Sequence, residues 1–81
     1  MPRILVSDAI APTALDWLRE RAEVTVAVGR TRAELLDLVG ECEALIVRSE
    51  TRVDAEVLQA GRRLRVVTRA YFAWPRRGTV E

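Results

Sequence analysis

The chain has 81 residues, of which 49% are hydrophobic and 31% charged, and its formal net charge at pH 7 is +1. A chain of this length forms one small domain and buries only about 60 to 65% of the surface that it exposes when unfolded. It has no apolar stretch near the roughly 18 residues of a membrane span, residues 1–8 turn acidic too early for a signal peptide, and a single cysteine excludes an internal disulfide.

These features predict a protein with no membrane partner. The lone cysteine fits a reducing compartment, so we expect the chain to be cytoplasmic.

Apolar runs alternate with helical patterns from the amino terminus onward. Residues 3–7 read as a buried strand, and Pro12 suits the first turn of a helix, where a missing N–H costs nothing. The apolar residues that follow recur at spacings of three and four, which predicts one buried helix face: Ala11, Ala14, Leu15, Leu18 and Ala22. A second strand is predicted at residues 24–28.

The same alternation continues in the second half. Thr31 and Glu34 have the spacing of a capping box at the start of a second helix. Gly40 is expected to end that helix, because glycine enters the left-handed conformation freely. Residues 44–47 read as the third strand, and Asp54 as the cap of a short third helix.

A fourth predicted strand at residues 64–68 completes the order β-α-β-α-β-α-β. Strands that alternate with helices and consist almost entirely of Val, Ile and Leu are buried on both faces, which requires a parallel sheet with helices on each side. The predicted fold class is therefore α/β: an open parallel sheet of about four strands, flavodoxin-like or Rossmann-like. Residues 1–70 form this domain, and residues 71–81, with three aromatic residues in four positions, are expected to be a disordered tail.

Ligands of open α/β sheets bind beyond the carboxyl ends of the strands. Three groups of polar residues are predicted to lie there, one after each of three strands: Ser7 with Asp8, Arg48 with Ser49, and Arg69 alone. The sequence therefore places any binding site at this edge of the sheet.

Arg48 and Ser49 are the most informative of these residues. A guanidinium, a hydroxyl and the start of the helix near Asp54 would together offer several donors to one anion. The alternative is that Arg48 forms an ion pair with Glu50 or Asp54 and has no binding role.

The charge distribution allows the same two interpretations. Residues 1–47 have five arginines and eight acidic residues, whereas residues 48–81 have eight arginines and four acidic residues. The basic half favours either solvated loops and helix ends or a site for a small phosphorylated or carboxylated metabolite, since arginine matches the geometry of such groups. Nucleic acid is disfavoured, because the arginines are not interleaved with aromatic residues and the pI is only about 8.0.

Several kinds of chemistry have no residues to support them. The chain contains no histidine, so no imidazole can act as a general base or metal ligand. One cysteine and scattered carboxylates lack zinc or calcium spacing, and the four glycines match neither the dinucleotide fingerprint nor the P-loop. We therefore expect no catalytic residue and no metal or cofactor site in this chain.

Three segments resemble the amino-terminal region of the D-3-phosphoglycerate dehydrogenases, within the NAD-dependent D-isomer-specific 2-hydroxyacid dehydrogenase family. They are ILVSDAIAP at residues 4–12, ALIVRSETRVDAEVL at 44–58 and LRVVTRA at 64–70. The most specific element is Arg-Ser-x-Thr-x-Val at residues 48–53.

The resemblance implies the smaller, substrate-binding domain of an oxidoreductase of serine biosynthesis, whose NAD belongs to a second domain. It implies that Arg48 and Ser49 hold the anionic groups of 3-phosphoglycerate or phosphohydroxypyruvate. It also implies that Arg69, which matches the first residue of the family's Arg-Ala-Gly-x-Gly-x-Asp-Asn motif, is a further phosphate contact. The chain departs from that motif at residues 71–74, so we expect a truncated product, plausibly frameshifted, that is not catalytically competent alone.

Two other functions are left open. The chain could be a small binding or regulatory module that uses the same site for a metabolite, without enzymatic activity. It could also be an interaction protein that associates with itself through an uncovered sheet edge.

Overall fold

The computed structural model of the chain describes residues 1–69. They form four strands, β1 (Arg3–Val6), β2 (Glu23–Val26), β3 (Ala44–Val47) and β4 (Val66–Arg69), and three helices, α1 (Pro12–Arg19), α2 (Arg32–Val39) and α3 (Ala55–Ala60). The predicted order of elements is confirmed, although β4 begins two residues later than expected and extends to Arg69. The predicted disordered tail, residues 71–81, lies outside the described residues.

All strand pairs in this sheet are parallel, and the strand order is β2-β1-β3-β4. The predicted open parallel α/β sheet is confirmed. From β1 the chain first moves outward to β2, then returns across β1 to β3 and continues to β4. The strand order therefore reverses at β1, which is where open α/β sheets form their binding crevices.

Most of the hydrophobic core lies on one face of the sheet, while Val6 and Ile46 are buried on the other. Strand residues that alternate in sequence point to opposite faces, and Leu5, Leu45 and Val47 share the face that packs against α2 and α3. The core cluster consists of eight buried residues: Leu5, Ala27, Leu35, Val39, Cys42, Leu45, Val47 and Val57.

The opposite face is covered less completely. Right-handed crossovers place α1 there, because the chain moves from β1 to β2 in one direction and towards β3 and β4 in the other. No residue of α1 is fully buried. At the edge of this face, Val66 of β4 is 54% exposed, whereas its neighbour Val67 packs against the core cluster. One face of β4 is thus open to solvent in the part of the chain that the structure describes.

The predicted helix starts are confirmed by their hydrogen bonds. The Glu34 backbone N–H donates to Thr31 Oγ1 at 3.2 Å, and the Thr31 N–H donates to the Glu34 carboxylate at 2.9 Å. The bond from the Thr31 N–H holds the pKa of Glu34 below its ordinary value. At α3, the Val57 N–H donates to Asp54 Oδ1 at 3.2 Å. Within residues 1–69, no helix has the length and apolar character needed to cross a membrane.

The prediction for Gly40 is right about the helix end and wrong about its conformation. Gly40 follows the last residue of α2, but its φ of −67° is ordinary right-handed helix. The left-handed glycine is Gly29, with φ of 77°, in the turn between β2 and α2. That turn needs glycine because the chain reverses from the strand into the capping box within a few residues.

Replacement of Gly29 by alanine is expected to lower the free energy of unfolding by about 1 kcal/mol, because the left-handed conformation brings Cβ close to the following carbonyl oxygen. A Cβ at this position meets no atom within 4 Å, so any loss of stability comes from the backbone conformation and not from a side-chain clash. Gly29→Asn is the matched control, since asparagine tolerates positive φ and should cost less. Urea unfolding followed by circular dichroism measures both variants. Equal stability of the alanine variant and the parent would contradict the assignment.

Candidate functional site

A cleft of about 490 Å³ lies at the carboxyl ends of β1, β2 and β3. Its walls are the segments that follow these strands, residues 7–9, 27–30 and 48–51, together with Leu35 of α2. We call it the strand-end cleft. It lies at the edge where the sequence predicted a site, and its volume is typical of pockets for small molecules.

Asp8 lies at the base of this cleft and is only 3% exposed. Its Oδ2 accepts hydrogen bonds from the backbone N–H groups of Arg48, at 2.7 Å, and of Thr51, at 2.9 Å. Its Oδ1 accepts from the Thr51 hydroxyl at 2.6 Å. The segment after β3 is therefore folded around a carboxylate supplied by the segment after β1.

The pKa of Asp8 reflects two opposing effects. Burial disfavours the charged form, but the hydrogen bonds from the Thr51 hydroxyl and from the backbone of residues 48, 50 and 51 together outweigh it. The pKa of Asp8 consequently lies below its ordinary value of 3.8, so the group is ionised at neutral pH.

The three predicted site residues do not all lie in the cleft. Arg48 and Ser49 both line the cleft. Arg48 is half-buried, and its Nη1 donates to the Ala9 carbonyl oxygen at 2.9 Å, which ties the guanidinium to the segment after β1. Arg69 is not among the lining residues. Its Nη1 donates to the Arg48 carbonyl oxygen, so it supports the backbone behind Arg48.

The sequence suggested that the start of α3 offers donors to an external anion, and the structure shows this helix start already engaged by a carboxylate of the chain. Asp54 caps its first turn through the Val57 N–H, and Arg32 Nη2 donates to both Asp54 carboxylate oxygens at 2.5 and 2.6 Å. The hydrogen bond from Arg32 holds the pKa of Asp54 below its ordinary value. The helix start therefore already holds an internal carboxylate. The partner of Asp54 is Arg32, where the alternative interpretation had placed Arg48.

The sequence-based prediction of the site did not include the turn between β2 and α2, where Gly29 and Arg30 line the cleft. A signal was present, since a Gly-Arg pair between a strand and a capping box places a guanidinium at the strand ends. The cleft therefore has two arginines in its lining, Arg30 and Arg48, from two different loops.

The cleft lining combines two guanidinium groups and the exposed hydroxyl of Ser49 with the carboxylates of Asp8 and Glu50. Guanidinium groups match the geometry of phosphate and carboxylate groups. Among residues 1–69, no group of histidine, cysteine or acidic side chains has the arrangement of a metal site.

Comparison with known proteins agrees with the resemblance noted in the sequence. Residues 4–72 match the family described as D-isomer specific 2-hydroxyacid dehydrogenase, catalytic domain. The chain is 40% identical over 70 residues to D-3-phosphoglycerate dehydrogenase of Synechocystis and 44% identical over 69 residues to that of Archaeoglobus fulgidus. These alignments cover 86% and 84% of this chain but only 13% of each relative.

Solved structures agree on the fold. A crystal structure of a Pyrococcus horikoshii OT3 protein superposes with a TM-score of 0.79 at 28% identity, over 85% of this chain and 21% of that one. The 3-phosphoglycerate dehydrogenase of Entamoeba histolytica, solved with NAD+ bound, superposes with a TM-score of 0.74 over 91% of this chain and 27% of that one. At 22% identity, the second similarity shows the fold alone.

Proposed function

Because this chain belongs to the D-isomer specific 2-hydroxyacid dehydrogenase family, as the match over residues 4–72 shows, we propose that its strand-end cleft binds a small anionic 2-hydroxy acid. The first candidate is 3-phosphoglycerate, which the names of the 40 to 44% identical relatives suggest. The observation that carries the proposal is the position of Arg48, whose guanidinium lines the cleft beside Ser49.

The position of Arg48 is held at several points, which favours binding. Its backbone N–H is bonded to Asp8, its carbonyl oxygen accepts from Arg69, and its Nη1 is bonded to Ala9. A guanidinium fixed in this way loses less conformational entropy when it meets a ligand than a solvated arginine does. A phosphate or carboxylate can then be held by charge-assisted hydrogen bonds.

The negative charge of Asp8 does not rule out an anion in the cleft. Three hydrogen-bond donors from Arg48 and Thr51 converge on its two oxygens, so the charge is compensated locally. Arg30 and Arg48 add two positive charges to the lining, and the Glu50 carboxylate adds one negative charge. We propose that the two guanidinium groups make the cleft attractive to an anion.

We propose that this chain by itself does not use NAD to oxidise the ligand. In dinucleotide-binding folds the turn after the first strand supplies glycines and a helix start to the pyrophosphate. Here that turn holds the Asp8 carboxylate, and Pro12, which has no N–H, opens α1. These residues do not fit the pyrophosphate, and we assign no reaction step to NAD here.

A spectrophotometric assay of the purified chain with NAD and 3-phosphoglycerate tests this part of the proposal, and no NADH should form above the rate without enzyme. The chain spans 13% of the length of the D-3-phosphoglycerate dehydrogenases it matches, so the activity in their names is not assumed for it. Turnover that rises in proportion to chain concentration would contradict the proposal.

Replacing Arg48 by leucine should weaken 3-phosphoglycerate binding at least tenfold, because a charge-assisted hydrogen bond contributes about 1.5 to 3 kcal/mol. Isothermal titration calorimetry at pH 7 measures the affinity. Arg65→Leu is the matched control, since Arg65 precedes β4 at the opposite end of the sheet and its loss removes the same charge. If both variants bind as the parent does, the cleft is not the site. If both are weakened equally, only net charge matters.

A second candidate function is self-association through β4, which the exposure of Val66 favours. In the described part of the sheet, β4 is an edge strand with one neighbour, β3. An edge strand with an exposed β-branched residue can pair with another chain. We propose a second copy of this chain as the partner, although Arg65 and Arg69 at the ends of the strand would oppose tight pairing by repulsion.

Val66→Lys should convert any dimer to monomer, because it places a charge in the exposed apolar face of β4. Leu58→Lys is the matched control, since Leu58 of α3 is also 54% exposed but lies away from the sheet edge. Size-exclusion chromatography with light scattering at increasing concentration measures the state. A parent chain that stays monomeric throughout would remove this candidate.

A further inference from the structure

The Asp8 carboxylate is an unexpected group to find almost fully buried. A buried charge is costly unless donors satisfy it. The hydrogen bonds to its side chain come from the segment of residues 48–51, about 40 positions later in the sequence. Neither the strand pairing nor the proposed ligand needs an acid at this position, so its role must lie in the segment that it holds.

That segment is fixed at both ends. Oδ2 of Asp8 accepts from the N–H of Arg48 at its beginning and from the N–H of Thr51 at its end. Ser49 and Glu50 lie between these two points and are exposed. The Asp8 carboxylate, from the segment after β1, therefore fixes the backbone on both sides of Ser49 and Glu50.

Ser7 completes the arrangement. Its Oγ lies 2.9 Å from Thr51 Oγ1. The Thr51 hydroxyl has one proton, which it donates to Asp8 Oδ1, so Ser7 must be the donor to Thr51. The chain of donors runs from Ser7 to Thr51 to Asp8 and ends on the carboxylate, which gives each hydroxyl a defined orientation.

We propose that Asp8 is the positioning residue of the strand-end cleft: its carboxylate holds residues 48–51 in the conformation that presents Arg48 and Ser49 to an anion, without touching that anion. This inference rests on the proposed function of the cleft. The backbone N–H groups of Arg48 and Thr51 already donate to Asp8, so they are not available to the anion.

The positioning role of Asp8 and the electrostatic effect of its charge predict opposite changes in anion affinity. Asp8→Asn keeps the size of the side chain but removes a negative charge beside an anion site. By Coulomb's law alone, this change should strengthen the binding of an anion. Loss of positioning should weaken it, because the amide cannot accept from three donors and adds an N–H that faces the Thr51 hydroxyl.

The first measurement follows the free chain by NMR as the pH is lowered from 7. The pKa of Asp8 is lowered by its donors, so its contribution to stability is complete above the ordinary value of 3.8 and is lost as the pH falls through the lower folded value. The amide protons of Arg48 and Thr51 should shift together with one midpoint below 3.8, and this shift should be absent in Asp8→Asn. Independent or absent titration of the two amides would overturn the proposal.

The second measurement is the affinity for inorganic sulfate at pH 7, by the same spectra. We expect Asp8→Asn to bind sulfate at least tenfold more weakly than the parent. Asp37→Asn is the charge-matched control, because Asp37 is exposed on α2 outside the cleft lining, and its affinity should be unchanged.

Asp8→Asn could fail to fold, so a milder pair of variants repeats the test. Thr51→Val keeps the branched shape, removes the hydroxyl and should weaken sulfate binding several-fold, whereas Thr51→Ser keeps the hydroxyl and should bind as the parent does. Unchanged or tighter binding by a folded Asp8→Asn or by Thr51→Val overturns the positioning role and leaves the proposed function standing. A parent chain that binds neither sulfate nor 3-phosphoglycerate removes both.

Discussion

The parallel pairing of β1 with strands on both of its sides is the constraint on which the rest of this structure depends. Val6 lies in register with Val26 on one side and with Ile46 on the other. Because all strands are parallel, their carboxyl ends meet at one edge, and the loops after them are brought together there. The central position of β1 therefore puts Asp8, the second residue after it, within reach of the loop after β3. Without that strand order the cleft would have no base.

The same topology explains why the two faces of the sheet differ. Two of the three helices, α2 and α3, lie on the face of Leu45, which is fully buried. Among residues 1–69 the other face has α1 alone, and α1 covers the β2 side while Val66 of β4 is more than half exposed. A domain of this size has little stability to spare. The larger apolar cluster lies on one side of the sheet, and its Ala27 and Leu35 also line the cleft at the strand ends.

Periodicity and capping patterns predict the elements well because they depend on residues near one another in sequence. The capping box of Thr31 and Glu34 and the cap at Asp54 follow from a spacing of three. The contact between Asp8 and Thr51 spans 43 positions, and no local pattern reports it. The conformation of Gly40 was misjudged because helix ends are decided by the path of the following chain, and Arg30 was missed because its place depends on where the β2–α2 turn meets the sheet. Arg48 and Ser49 were identified from their place after the third strand and then by resemblance to a family, and their binding role stays a prediction.

Several acidic residues of the amino-terminal half form hydrogen bonds inside the domain. Several of them accept hydrogen bonds from backbone N–H groups at the ends of elements: Asp8 from Arg48 and Thr51, Glu34 from Thr31, and Glu43 from Arg3 at 2.7 Å. Donors of this kind are the ones that bind anions in many α/β proteins. In this domain internal carboxylates occupy them, which removes backbone donors from competition for an external anion. An anion bound as we propose would then depend on the side chains of Arg30 and Arg48.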